Sequence, residues 1–175
     1  EERRVDKRSY YGWPTTINLV RELQPQAVIF SDAGPDIRWV GNERGYAYDT
    51  TWSPLLRDSV YAGMPGFDKY AKGQENGTHW VPTESDVSIR PGWYYHPEED
   101  DKVKTLAHLV GIYFNSVGRN SSFLLNLPVD TRGLVHENDE AQLKKLAAYL
   151  SAMYEKDFAD FATLKATVSR EGYGV

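Results

Sequence analysis

Between Asp36 and Glu43 the chain carries Asp36, Arg38, Trp39, Asn42 and Glu43, so two carboxylates, a guanidinium, an indole and an amide fall within eight positions. Such a set can move a proton, hold a ligand by hydrogen bonds and offer an apolar wall to one of its faces. Asp36 and Arg38 read first as a loop salt bridge that holds Glu43 in place. Further on, Glu84 and Asp86 lie two apart in THWVPTESDVSI. Alternate residues of an extended segment point to one side, so these two form either an acid/base pair or a structural pair bound to Arg90. The structural pairing is the plainer reading. Trp93 follows the Arg90-Pro91-Gly92 turn and is the best candidate for a ring lining a ligand site, with a core position as its rival. Trp80 reads as core, or as a residue behind the site. His79, His96, His108 and His136 lack metal-ligand spacing, so no metal is assigned. Asn76-Gly77-Thr78 and Asn120-Ser121-Ser122 match glycosylation acceptors, a frequent accidental match.

The elements that must position these side chains follow from the apolar patterning. Gln26–Gly45 opens on Ala27-Val28-Ile29-Phe30, a run of the length and β-branched content of a fully buried parallel strand. Ser31-Asp32-Ala33-Gly34-Pro35 breaks it with turn chemistry, and the residues from Asp36 to Gly45 read as the polar loop beyond. A buried strand ending in such a loop is how α/β barrels build active sites, although polar loops follow most strands. A helix is expected over 14–24, with Pro14 in its first turn and Pro25 as its stop. Residues 46–77 are irregular. Thr78–Ile89 is extended, with Pro82 barring a central-strand role throughout. The acidic block Glu98–Asp101 precedes a helix bearing Val103, Leu106, Leu109 or Val110, and Tyr113 or Phe114, closed by Gly118. Ser122–Pro128 is a second buried-strand signal. Asn138 caps a last helix carrying Ala141, Leu143, Leu146, Ala147 and Leu150. Residues 164–169 alternate like a half-buried strand.

With 175 residues the chain suffices for one domain with a real core. Its net charge of −5 argues against nucleic acid or an anionic membrane as partner, and no apolar run approaches the ~18–20 residues of a membrane span. Without cysteine there is no disulfide framework or thiolate nucleophile. Five Trp and twelve Tyr suit the stacking of rings on sugar faces, and equally a large core. Three strong strands amount to about half of a closed eight-stranded barrel. The chain therefore reads as part of something longer.

AGPDIRWVGNERG, WVPTESDVSIRPGWYYH and SVGRNSSFLLNLPVDTRGLV, in that order, resemble the later part of the catalytic domain of the α-L-fucosidases of glycoside hydrolase family 29, over about residues 14–155. The resemblance implies an α/β fold: residues 1–157 as the C-terminal part of a (β/α)8-like barrel, and 158–175 as the connection into a C-terminal β-sandwich. It implies retaining hydrolysis of terminal α-L-fucose, which needs two carboxyl groups about 5–5.5 Å apart. In the family the nucleophile is an aspartate in a Trp-Phe-Asp-Gly type motif on an earlier strand. That motif is absent here, and Phe67-Asp68, in a loop after the Gly-Asn-Glu motif, does not replace it. The general acid/base carries over onto Glu43, with Trp39, Trp93, Arg90 and Glu84 as the expected substrate-binding residues and no cofactor. The implied partners are a fucosylated oligosaccharide or glycoconjugate, with a lean toward α-1,3/1,4 linkages, and the missing N-terminal half of the same protein. A periplasmic or secreted location is expected. Two alternatives stay open at this point: a non-catalytic carbohydrate-binding protein on a decayed barrel, and another barrel glycosidase with Glu84 as its acid.

Overall fold

The computed structural model describes residues 4–163 together with Lys165 and Ala166. A short helix α1 (Lys7–Tyr10), capped by the Asp6 side chain, leads into α2 (Trp13–Leu23). Pro14 sits in the first turn of α2, where its missing N–H costs nothing. The helix expected over 14–24 is present, but Leu19 and Leu23 on it are exposed.

The strand expected over Ala27–Phe30 is not the buried central strand its composition promised. It shortens to β1 (Phe30–Ser31) at the edge of the sheet, and Val28 and Phe30 are 66% and 47% exposed. Apolar β-branched runs score burial, but burial needs a neighbour on each flank. Here β2 covers one flank, and the other has no neighbour among the described residues. The correction continues just beyond. Part of the expected loop is a strand, β2 (Ile37–Trp39), because parallel ladders on both sides satisfy its backbone.

The long excursion that follows holds β3 (Pro54–Leu55), a 3-10 turn at Arg57–Ser59, the short helix α3 (Asp68–Ala71) and β4 (His79–Trp80), which pairs antiparallel with β3. Trp80 is 71% exposed, so it is not a core residue. β5 (Thr83–Ser88) starts immediately after Pro82, whose carbonyl still accepts from Arg38 N at 3.0 Å. α4 (Leu106–Ser116), capped by the Thr105 hydroxyl, returns the chain to β6 (Ser121–Asn126), and α5 (Glu137–Met153) follows.

The four strands run in the order β1-β2-β5-β6 and are parallel throughout. This is the α/β class expected from the sequence, with β5-α4-β6 as a βαβ unit. Ile89, Leu109 and Leu146 join Phe123, Leu125 and Leu127 in a core between sheet and helices. Ala33, Leu55, Val60 and Val81 form a second core under the excursion.

Three caps differ from expectation. The acidic block forms a 3-10 turn at Pro97–Glu99, well ahead of α4. The left-handed residue after α4 is Asn120 (φ 62°), which Asn tolerates, and not Gly118. His136, not Asn138, caps α5, its Nδ1 accepting from Asn138 N at 3.2 Å. The strand expected over 164–169 lies outside the described residues, apart from Lys165 and Ala166.

Candidate active site

Side chains alternate across a strand, and that alternation builds the site. On β5, Thr83, Ser85 and Val87 are buried while Glu84 and Asp86 are partly open. On β6, Phe123 and Leu125 pack against the helices, which turns Leu124 to the other face. Register then aligns the rows, with Trp39 opposite Glu84 and Asp86 opposite Leu124. Phe30, Asp32, Trp39, Glu84, Asp86 and Leu124, joined by Trp93, line an open cleft of about 320 Å³.

Two indoles hold two carboxylates here. Trp39 Nε1 donates to Asp86 Oδ1 at 2.6 Å, and Trp93 Nε1 donates to Glu43 Oε2 at 3.0 Å. Burial pushes the Glu84 carboxyl above its ordinary value, with the charge of Asp86 adding to it. Burial also raises Asp86, the Trp39 hydrogen bond opposes this, and the charge of Glu43 adds to the rise. Glu43 therefore lies within electrostatic reach of Asp86. Asp32, Glu84 and Asp86 line the cleft and Glu43 stands beside it, four carboxylates in all, and among the described residues no cluster of His, Asp and Glu is arranged to hold a metal.

Glu43 itself rides on a loop beyond the carboxyl end of β2, and Trp93 on the loop beyond β5. Asn42 shapes the first loop, accepting from Arg44 N at 3.0 Å and donating to Tyr46 O at 2.9 Å. Gly45 then turns it inward at φ +75°, where a Cβ would meet Ile112 Cγ2 at 2.7 Å and Val87 Cγ1 at 2.9 Å. Only glycine fits that close approach without a shift.

Of the residues expected to form the site, the structure gathers Glu43, Trp39, Trp93 and Glu84 around one cleft, across 50 positions of sequence between Glu43 and Trp93. Arg90 is the exception. Its side chain is fully buried and binds Asp139 through Nε at 2.9 Å and Asp100 through Nη1 at 2.8 Å. It therefore pairs with neither Glu84 nor Asp86, and is sealed from the cleft. The strand ends at Ser88, so the alternation that would have aligned position 90 with 84 and 86 stops short of it. The expected pair of Asp36 with Arg38 is also replaced. Asp36 binds Arg21 at 2.5 Å, while Arg38 turns to backbone carbonyls. Leu124 was not foreseen in the cleft, although the alternation Phe123, Leu124, Leu125 carried the signal.

Comparison with known proteins places this geometry. The chain is 41% identical over 165 residues to Alpha-L-fucosidase 1 of Arabidopsis thaliana, covering 94% of this chain and 32% of that protein. It thus spans about a third of the relative's length. Among solved structures, a glycoside hydrolase 29 family member from an unknown rumen bacterium superposes with a TM-score of 0.83 at 38% identity, covering 94% of this chain and 29% of that one. A Ruminococcus gnavus glycoside hydrolase 29 fucosidase, solved in complex with fucose, gives a TM-score of 0.65 at 30% identity over 75% of this chain and 26% of that one. The family model described as alpha-L-fucosidase matches residues 9–155, most of the chain, which therefore belongs to the α-L-fucosidase family of glycoside hydrolases, family 29.

Proposed function

We propose that the chain is the acid/base-bearing part of a retaining exo-glycosidase that releases terminal α-L-fucose from an oligosaccharide or glycoconjugate, with α-1,3/1,4 linkages as the preferred class. In this reading the described residues up to 157 form the later part of a (β/α)8-like barrel. The aspartate nucleophile comes from the preceding half of the same protein, which also covers the free edge of β1. A periplasmic or secreted enzyme meets such substrates. The observation that carries this reading is Glu43 beyond the carboxyl end of a parallel strand, held by the Trp93 indole at 3.0 Å beside the cleft. The carboxyl ends of the strands are where barrel enzymes place catalytic groups.

In the first step the nucleophile attacks the anomeric carbon and Glu43 gives its proton to the leaving sugar oxygen. In the second, Glu43 takes a proton from water as that water displaces the nucleophile. Trp39 and Trp93 flank the sugar, and Glu84 and Asp86 offer acceptors to its hydroxyls. A second reading makes Glu84 the acid, favoured by the raised affinity of its carboxyl for a proton.

A sugar alkoxide cannot leave unprotonated, whereas a nitrophenolate leaves with little help. In the full-length enzyme, Glu43→Ala should slow cleavage of a fucosyl disaccharide by about 10²–10⁴-fold and slow fucosylation of the nucleophile by an aryl fucoside far less. Added azide should restore turnover of the aryl substrate and yield the α-fucosyl azide, the product of two inversions. A β-fucosyl azide would mean the nucleophile had been lost instead. Rescue of Glu84→Ala but not of Glu43→Ala would transfer the acid role to Glu84.

A further inference from the structure

Asn126, the last residue of β6, is not one of the carboxylates or rings around the cleft. Its amide nitrogen nevertheless donates to Trp93 O at 3.0 Å and to Ser88 Oγ at 3.1 Å, which commits both amide hydrogens. Ser88 closes β5, and its hydroxyl accepts from Arg90 N at 3.3 Å. The ends of two adjacent parallel strands are thus tied to the backbone of the residue whose ring meets Glu43.

The other ties in this loop act on its base. Lys104 Nζ holds the carbonyls of Ser88 and Arg90 at 2.7 and 3.1 Å, and Arg90 Nη1 reaches His96 O at 3.4 Å. Those contacts fix where the loop leaves and rejoins the fold. Asn126 grips Trp93 itself, 33 residues away in sequence. Glu43 is exposed on a loop of its own, so the bond from Trp93 Nε1 is what selects its carboxylate position.

We propose that Asn126 is a positioning residue for the acid/base, acting through Trp93: its amide sets the Trp93 backbone, and the Trp93 indole sets Glu43. The proposal rests on the assignment of Glu43 above. It follows from geometry that a carboxyl group aimed at a leaving oxygen loses efficiency when its support shifts, and misplacements of about 1 Å can cost on the order of 10²-fold.

The test is a double-mutant cycle in the full-length enzyme. Asn126→Asp keeps the shape and replaces the donor with an acceptor facing Trp93 O. Trp93→Phe keeps most of the ring and removes the N–H. Each should lower kcat on a fucosyl disaccharide by about 10- to 100-fold. For Asn126→Asp, fucosylation by an aryl fucoside should stay within about threefold of wild type, while for Trp93→Phe, whose ring flanks the sugar, it should fall less than disaccharide cleavage does. The double variant should be no slower than the slower single variant, because both act on one path. Losses that multiply would show independent roles and overturn the proposal, as would equal losses on disaccharide and aryl substrate. Asn126→Ser is the second variant should aspartate unfold the chain, and failure of both to fold would make Asn126 a stability residue only. Glu43→Ala measured alongside separates the two hypotheses. If it lacks the leaving-group dependence, the acid assignment fails, whereas its presence there and absence in Asn126→Asp defeats the positioning role alone.

Discussion

Two arginines among the described residues are fully buried, and the fold answers the same problem in opposite ways. Arg90 meets two carboxylates, Asp139 and Asp100, and its guanidinium lies over the Tyr95 ring with 4.8 Å to the centroid. Arg38 meets no carboxylate among the described residues. It donates to the backbone carbonyls of Ala71, Ser53, Val81 and Trp52. Burial works to lower the proton affinity of both. For Arg90 the two carboxylates overcome it and the net shift is upward, whereas Arg38, with no counter-charge, is pushed down to about 10.

The difference lies in what each one fastens. Carbonyl acceptors are present in any stretch of chain, so Arg38 can pin an irregular excursion against β2 wherever its backbone passes. Its four acceptors all lie between Trp52 and Val81, the segment with the least regular structure. Arg90 instead joins the end of β5 to the first turn of α5 and to the 3-10 region, using side chains that the sequence must supply. One arginine organises a loop, and the other locks elements around the base of the Trp93 loop.

Removing a counter-ion should expose this contrast most strongly. Asp139→Ala leaves Arg90 buried with Asp100 as its remaining carboxylate, so the loss should lie at about 2–3 kcal/mol, at or below the ~3–5 kcal/mol of a fully stranded buried charge. Urea unfolding of the full-length protein should show that loss, and the double replacement Arg90→Met with Asp139→Leu should recover most of it. A double variant as unstable as the single one would mean that the pair itself, rather than the stranded charge, carries the stability.

Arg38→Met has no counter-ion to strand. It leaves carbonyls short of donors while relieving an uncompensated buried cation, so the expected net cost is no larger, about 1–3 kcal/mol. Hydrogen exchange should localise the effect to residues 50–82. A uniform loss of protection across the sheet would contradict the loop-fastening role.

The smallest effect belongs to a third pair, in which only the acid is buried. The Asp130 side chain is 3% exposed and that of Arg132 51%. The Arg132 hydrogen bonds hold Asp130 at about 2, against an ordinary value of 3.8. A depressed folded-state value means the unfolded chain binds more protons between those two pH values. The stabilisation is therefore complete above pH 4 and is lost as pH falls toward 2. Asp130→Asn should melt below wild type at neutral pH, and the gap should close over that acidic window. A gap independent of pH would assign the effect to shape and not to charge.

The sequence made some features legible because their causes are local. Pro14 and Pro25 bracket α2, and the alternation in Thr83–Ser88 places Glu84 and Asp86 on one side. Other features were misread because their causes are distant. Ala27–Phe30 has a buried strand's composition yet sits at an edge, and Ile37–Trp39 looks like a loop until ladders on both sides make it a strand.

The residue types and spacing of the chain thus determined the α/β class, the family and the carboxylates and rings that the fold gathers around the cleft. Local pattern and motif are written in consecutive residues, so they need no third dimension. Which carboxylate each cation would take was decided only by the fold. Arg90 had Glu84 and Asp86 as sequence neighbours and chose Asp139, 49 residues away, because the end of β5 at Ser88 turned its side chain out of the cleft and into the base of α5. Trp93 reached Glu43 for the same reason: loops at the carboxyl ends of neighbouring parallel strands meet in space, whatever their separation along the chain.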